Sequence, residues 1–580
     1  MAIIRQNITM ECVMGQMSGA QMVCEAIIAE GVKTVFGYPG GAIMHVYDEI
    51  YKQEGFEHIL NRHEQASVHA ADGYARATGE VGVAMVTSGP GFTNAVTGLA
   101  TAYMDSIPMV VISGQVPLSL IGTDGFQEID AVGISRPCTK HNFLVRTLEE
   151  LPRVLKEAFY IARSGRPGPV LVDIPKDITV DIGEFVYPDS VDIPTYKPTY
   201  KGNKRQIEKA VEAIKKAKKP LLYLGGGIVL SNAYELVREL AEKTQIPAVE
   251  TLMARGVMGA KNPLLLGMLG MHGNYSSNMA MSETDLVISL GARFDDRVTG
   301  KLSEFAKYAD IIHVDIDAAN IGKLVDVDYP IVGDITEVLT AMLPQLDDVD
   351  TDRYEAWRNI LNRYDELHPQ SYVDSDEVIK PQWAIERIGE LIGEDAIITS
   401  DVGQHQMWAA QHYPFDRPRQ WINSGGLGTM GFGFPAALGA KRAFPEKTVV
   451  NVTGDGSILM NMQELVTAAE YKIPVINLIL NNHFLGMVRQ WQTFFYEKRY
   501  SETDLSFQPN FKALAEACGG IGYDVTTKAE FDAAIKDAIK QDKVCFMNVQ
   551  TNRFEDVLPM VPSGGALFNM MLPQTTKGDA

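Results

Sequence analysis

Short runs rich in valine and isoleucine alternate with stretches of helical period along the whole chain. They are TVFGY, VGVAMVTS, MVVISG and PVLVDIP in the first third, LLYLGG, LVISLGA and IIHVDID in the middle, and AIITSDVG, TVVNVTG, VINLIL and VCFMNVQ in the last. Short apolar runs of this kind, separated by helical patterns, predict parallel sheets wrapped by helices, with ligands at the carboxyl ends of the strands. The fold class is therefore α/β, in three domains that each hold a mainly parallel sheet flanked by helices. Two stretches break the alternation. GEFVYPDSVDIPTYKPTYKGNK is rich in Pro, Tyr and Lys, and the acidic stretch from QLDDVDTDRYEAW to DSDEVIKPQ contains one amphipathic helix. They divide the chain into domains at 1–185, 205–345 and 381–560, with linkers at 186–204 and 346–380 and a tail at 561–580. The first and third domains read as variations on one plan.

Composition narrows the class. A chain of 580 residues is longer than one core needs, and its 46% hydrophobic and 22% charged residues are those of an ordinary globular protein. A formal net charge of −21 argues against nucleic acid or an anionic membrane as partner, so small anionic substrates would need local positive sites. Cys12, Cys24, Cys138, Cys518 and Cys545 are scattered without a C-x-x-C, which predicts neither a zinc site nor a disulfide framework and favours a reducing cytoplasm. The opening MAIIRQNITMECVMGQ lacks the apolar core of a signal peptide, and no apolar run approaches the ~18 residues of a membrane span.

Candidate chemistry concentrates in NVTGDGSILMNMQELVTAAEYKIPVINLILNN. Asp455 follows one apolar run and Asn482 follows the next, 27 residues later. Strand, helix and strand between them place both side chains at one sheet edge, where their oxygens can converge on a hard cation such as Mg²⁺. Gly454 and Gly456 let the backbone approach a diphosphate, and Ser457 is expected to open a helix over MNMQELVTAAEY whose amino end faces that charge. A lone G-D-G reads as a structural turn; G-D-G and N-N at this spacing are specific.

This stretch resembles the diphosphate and metal motif of thiamin-diphosphate enzymes, and the chain from about Gly31 to Met571 is similar to their acetohydroxyacid synthase family. The resemblance implies the thiamin-diphosphate-enzyme fold. It implies Mg²⁺ held by Asp455, Asn482 and the Phe484 carbonyl, with phosphates along Gly403, Gln404, His405, Gly456 and Ser457. RHEQASVHAADGYAR matches the family's glutamate motif and makes Glu64 the carboxyl that exchanges a proton with the cofactor's pyrimidine ring. Burial beside a neutral ring would suit that shuttle. Taken alone, Glu64 would read as an ordinary carboxylate in a first helical turn. VFGYPGGAI brings Gly40, Gly41 and Ala42 to the reacting centre, SGPGFTN brings Pro90 and Asn94 to the pyrimidine, and GTDGFQEID supplies Gln127. Met430 in GGLGTMG would bend the cofactor from beneath. Met271, Arg297, Met487 and Trp491 would meet the acceptor substrate, and Met487 and Trp491 share a helical face. Lys176 would line the approach. His45 stands where the family usually has Pro, and Gly125 where Ala is common.

The middle domain is expected to hold FAD. LLYLGGGIVL, GARFDDRVTG and HVDID carry glycine turns and acidic strand ends, and the resemblance places Arg166, Gly225, Gly226, Arg293, Asp315 and Asp334 around a flavin that is structural and not turned over. By itself a G-G-G after a strand more often marks tight packing. The implied reaction is decarboxylation of pyruvate and transfer of its two-carbon unit to a second 2-keto acid, pyruvate or 2-ketobutyrate. The products would be 2-acetolactate or 2-aceto-2-hydroxybutyrate, on the route to valine, leucine and isoleucine. Pyruvate oxidases and glyoxylate carboligases share the cofactors, but the GTDGFQE and LGMVRQWQ stretches favour the synthase. Family members build the site across a dimer interface, so a homodimer or dimer of dimers is expected, with a separate regulatory subunit as a further possible partner.

Overall fold

Each third of the chain closes its apolar runs into a six-stranded sheet in which every neighbouring pair is parallel. The computed structural model describes residues 15–573, so Cys12, the first fourteen residues and residues 574–580 of the expected tail lie outside the described residues. Counted along its own stretch of chain, the first sheet (Thr34–Gly37 to Pro169–Pro175) has the strand order 2-1-3-4-6-5. The third (Ile397–Ser400 to Cys545–Gln550) repeats that order. The middle sheet (Pro220–Leu224 to Tyr329–Val332) instead runs 3-2-1-4-5-6, the doubly wound order of dinucleotide-binding sheets, with its topological switch between Pro220–Leu224 and Leu286–Leu290. Central strands such as Met109–Gln115 and Ile476–Asn481 are buried at every position, which is why they read as continuous apolar runs.

The first and third domains meet through two helices, Glu64–Thr78 and Gly433–Ala443. Their facing positions are Ala70, Gly73, Ala436 and Gly439. A Cβ on Gly73 would overlap the Ala436 carbonyl, and one on Gly439 would overlap the Ala70 carbonyl, so the two backbones touch directly. The helix Glu64–Thr78 ends at Gly79, whose φ of 85° is the left-handed cap that a Cβ would strain.

Neither connecting stretch is loose. Within 186–204, Tyr196 Oη donates to the Ser164 carbonyl (2.9 Å) and Tyr200 Oη accepts from Gly165 N (3.0 Å). Within 346–380, the helix Glu355–Leu367 packs on the middle domain, where the buried Trp357 donates from Nε1 to the Pro220 carbonyl (3.2 Å). Among the described residues no helix is long and apolar enough to cross a membrane.

Candidate active site and cofactor cavity

Asp455 and Asn482 occupy adjacent strand ends, directly after Val449–Gly454 and Ile476–Asn481, which pair in register. Both side chains are buried. Burial pushes the Asp455 carboxyl up to about 7, and Gln508 donates to it. Asn482 donates from Nδ2 to Gln404 Oε1 (3.1 Å) and accepts from Phe484 N at Oδ1 (3.0 Å), which turns the loop so that Phe484 stays beside it. One carboxylate, one amide and one carbonyl suit a cation that completes its shell with phosphate and water. Among the described residues no group of three His, Cys, Asp or Glu side chains forms an all-protein cage.

The expected diphosphate contacts surround this pair, with two differences. The helix Gln404–His412 starts at Gly403, and its first turn offers free backbone donors. The Gln404 side chain is already committed, donating from Nε2 to Gln490 Oε1 (2.8 Å) and to the Glu555 carbonyl (3.0 Å) while accepting from Asn482. Its contribution to an anion is therefore the backbone N–H. His405 is buried, burial lowers its ring to about 3, and its Nε2 has no partner. This nitrogen is left with a free hydrogen-bonding position, which a diphosphate oxygen would fit. The second difference is after Ser457: the chain makes a 3₁₀ turn, Ile458–Met460, and the α-helix begins only at Glu464. Met430 lies over the same loop, 3.9 Å from where a Cβ on Gly456 would sit. It is braced by Gly431, whose N–H donates to Asp401 (2.7 Å) and whose carbonyl accepts from Asn461 (2.7 Å). Burial pushes the Asp401 carboxyl up to about 6.

Glu64 forms a separate centre in the first domain. It starts the helix Glu64–Thr78 after His63, whose Nδ1 accepts from Gln65 N (3.2 Å), and it is half-buried. Asn94 donates from Nδ2 to Glu64 Oε2 (3.0 Å), and a Cβ on Gly91 would stand 3.4 Å from Oε1. Pro90 begins the helix that carries Asn94, and both are exposed. Gln127 holds a φ of 60° against the bare Gly89, and Gly41 is exposed. Lys176 begins the short helix Lys176–Val180 and is half-buried. His45 bonds from Nδ1 to Thr179 Oγ1 (3.0 Å), tying its own helix to that of Lys176, and Gly125 has room for a methyl group.

One cavity of about 710 Å³ joins the three domains. Gly225, Gly226, Arg293, Asp315 and Asp334 line its middle-domain wall, and Arg166 reaches it from the first domain. Gly225 serves packing as well, because a Cβ there would overlap the Gly291 carbonyl across the topological switch. Arg166 donates to Ser106 Oγ (2.8 Å) and Asp317 (3.1 Å), Asp315 accepts from Asn320 (3.1 Å), and Asp334 caps the helix Ile335–Met342. Met271, Arg297, Met487 and Trp491 line the far end together with Gly403 and Met430. Met487 and Trp491 project from one face of the helix Gly486–Phe495, and the opposite residues Arg489 and Gln490 are buried. The indole Nε1 is buried without a partner. Glu64, Gln127, Lys176 and Asp455 do not line this cavity.

Sequence reasoning passed over Arg76 and Asp105. Arg76 pairs with Asp72 and donates to Asp105 (2.9 Å) and to the Asn423 carbonyl (2.9 Å), while Asp105 accepts from Gly425 N and Gly426 N. This buried set fixes the glycine loop that leads to Met430. The arginine of GYAR, four residues after a buried aspartate on one helix face, was the available signal.

Residues 17–134, 207–342 and 401–549 match, in turn, the N-terminal TPP binding domain, the central domain and the C-terminal TPP binding domain of thiamine pyrophosphate enzymes. The fold is that of this class. The acetolactate synthase isozyme 3 large subunit of Escherichia coli is 50% identical over 573 residues, covering 97% of this chain and 100% of the relative. The acetolactate synthase large subunit of Haemophilus influenzae is 50% identical over 567 residues (96% and 99%), and the probable acetolactate synthase large subunit of Methanocaldococcus jannaschii 47% over 566 (96% and 95%). The chain belongs to the acetolactate synthase large subunits.

Proposed function

We propose that the protein decarboxylates pyruvate and joins the two-carbon unit to a second 2-keto acid, giving 2-acetolactate from pyruvate or 2-aceto-2-hydroxybutyrate from 2-ketobutyrate, for branched-chain amino-acid biosynthesis. The observation that carries this reading is the pairing of Asp455 with Asn482 at adjacent strand ends beside the unpartnered His405 Nε2. Asp455, Asn482 and the Phe484 carbonyl hold Mg²⁺; Gly403, His405, Gly456, Ser457 and the Gln404 backbone hold the diphosphate. When bound, thiamin diphosphate supplies a carbon nucleophile and an electron sink for the loss of CO₂. Glu64, oriented by Asn94, exchanges the proton that activates the pyrimidine amino group. Pro90 and Asn94 border the pyrimidine, Met430 supports the cofactor, and Gly41, Gln127 and Lys176 face the reacting centre. Arg297 takes the carboxylate of the acceptor, and Met271, Met487 and Trp491 wall its side chain.

FAD fits the middle-domain wall of the cavity, where Arg166, Gly225, Gly226, Arg293, Asp315 and Asp334 meet at the switch point of a 3-2-1-4-5-6 sheet. Family members build the site across a dimer interface, and on that reading Glu64 serves the cofactor held by a second copy, in a homodimer or dimer of dimers. A separate regulatory subunit fits the large-subunit names of the relatives. A cytoplasmic setting fits the free cysteines Cys24, Cys138, Cys518 and Cys545.

The test gives the purified protein, loaded with thiamin diphosphate, Mg²⁺ and FAD, pyruvate with and without 2-ketobutyrate. CO₂ with 2-acetolactate, and the mixed product when both acids are present, is the expected result. Acetate formation with anaerobic bleaching of the flavin at the turnover rate would assign an oxidase instead.

A further inference from the structure

Glu464 is a fully buried carboxylate in the third domain, nine residues after Asp455, and it spends its oxygens on the first domain. Asn61 Nδ2 donates to it (2.9 Å), Arg62 N donates to it (2.9 Å), and Thr467 Oγ1 closes the set (2.8 Å). Further bonds hold the same turn: Leu60 N donates to Tyr471 Oη (3.0 Å), the Leu60 carbonyl accepts from Arg62 Nη1 (3.0 Å), and Arg62 pairs with Glu470. Asn61 Oδ1 is buried without a partner, so the bond to Glu464 orients that amide. Glu64 lies two residues beyond Arg62, where the chain leaves the strand Glu57–Leu60 and enters the helix Glu64–Thr78. The Arg62 N–H sits in the turn between these elements, outside the sheet ladder and the helix, and Glu464 is its acceptor.

We propose that Glu464 is a positioning residue for Glu64: by holding Asn61 and Arg62 it fixes the strand-to-helix turn from which the Glu64 side chain leaves toward Asn94. The proposal rests on the reading of Glu64 as the proton shuttle. It adds a direct tie, within one chain, between the segment that follows the diphosphate loop and the start of the shuttle helix. A buried carboxylate suits this work because it accepts several donors at once and has none to offer, so the turn has one satisfied arrangement.

Two measurements test it. In cofactor-free protein, amide hydrogen exchange over residues 60–66 reads the turn; in loaded protein, proton–deuterium exchange at the thiazolium carbon reads the shuttle. Glu464→Ala is expected to speed the first and slow the second by roughly tenfold or more each, with thiamin diphosphate affinity within about threefold of wild type. Glu464→Gln keeps an acceptor for Arg62 N, and Asn61 can turn its free Oδ1 toward the new amide, so both readouts should return to within about threefold of wild type. If Glu464→Ala does not fold, Asn61→Leu removes the side-chain donor and carries the same expectations. Slow thiazolium exchange in Glu64→Gln beside exchange within about twofold of wild type in Glu464→Ala would overturn the proposal alone. Wild-type exchange in both variants would remove the role of Glu64, and the proposal with it.

Discussion

The first and third domains thread six strands in the same order and apply their strand ends to different tasks. In the third, Asp455, Asn482, Gln404 and His405 are buried, and the bonds from Asn482 to Gln404 and from Gln508 to Asp455 set the geometry. In the first, Glu64 is half-buried and held by the exposed Asn94. A cation and a diphosphate need a rigid polar cradle whose desolvation has already been compensated by hydrogen bonds. A proton shuttle must reach its partner and change charge, and burial within its own chain would hinder both. On the proposed reading, one topology would supply an anchor in one copy and a movable proton in the other.

The contrast can be broken at its anchor first. Asp455→Ala should abolish detectable Mg²⁺-dependent binding of thiamin diphosphate while leaving the circular dichroism of the fold unchanged; calorimetric titration reads it, and unaltered affinity would remove the metal assignment. Glu64→Gln should do the reverse, keeping cofactor affinity while slowing proton–deuterium exchange at the thiazolium carbon by about 10²- to 10⁴-fold. A third change sharpens the comparison at the cavity wall. Trp491→Leu should cut any preference for 2-ketobutyrate over pyruvate by roughly ten- to two-hundredfold, the worth of one buried methylene, while pyruvate coupling continues. Competition between the two acceptors measures it, and an unchanged product ratio would return Trp491 to a packing role. The smallest effect falls on what the two domains share: Gly439→Ala forces a methyl group onto the Ala70 carbonyl and should cost about 1–3 kcal/mol, seen as a lower thermal midpoint with cofactor affinity retained.

What was legible in the sequence follows burial. In the first and third sheets the runs picked out from pattern are the inner strands, while Glu57–Leu60, His141–Leu144, Trp421–Asn423 and Ile521–Val525 are the edges, short and in three cases part-exposed, and left no continuous run. In the middle sheet the edges Leu265–Met268 and Tyr329–Val332 are likewise unmarked, but so is the inner strand Ala248–Glu250, which is buried throughout and only three residues long. Asp455 and Asn482 stand where spacing put them because a strand–helix–strand unit has little freedom in length. The bracing was not legible: Gln508 on Asp455, Gln490 on Gln404 and Glu464 on Asn61 join residues 53, 86 and 403 positions apart, and no local pattern encodes such a pair. The helix expected from Ser457 starts later, at Glu464, after a 3₁₀ turn that carries the chain away from the diphosphate loop.

The meeting of Glu64–Thr78 with Gly433–Ala443 has a mechanical consequence. Most helix pairs are separated by a cushion of side chains whose rotamers let one helix slide on the other. Here carbonyl oxygens rest on bare α-carbons at Gly73 and Gly439, leaving no cushion to rearrange. The first and third domains of one chain are therefore geared together as a single rigid body, and any opening of the cavity falls to the loops at its rim.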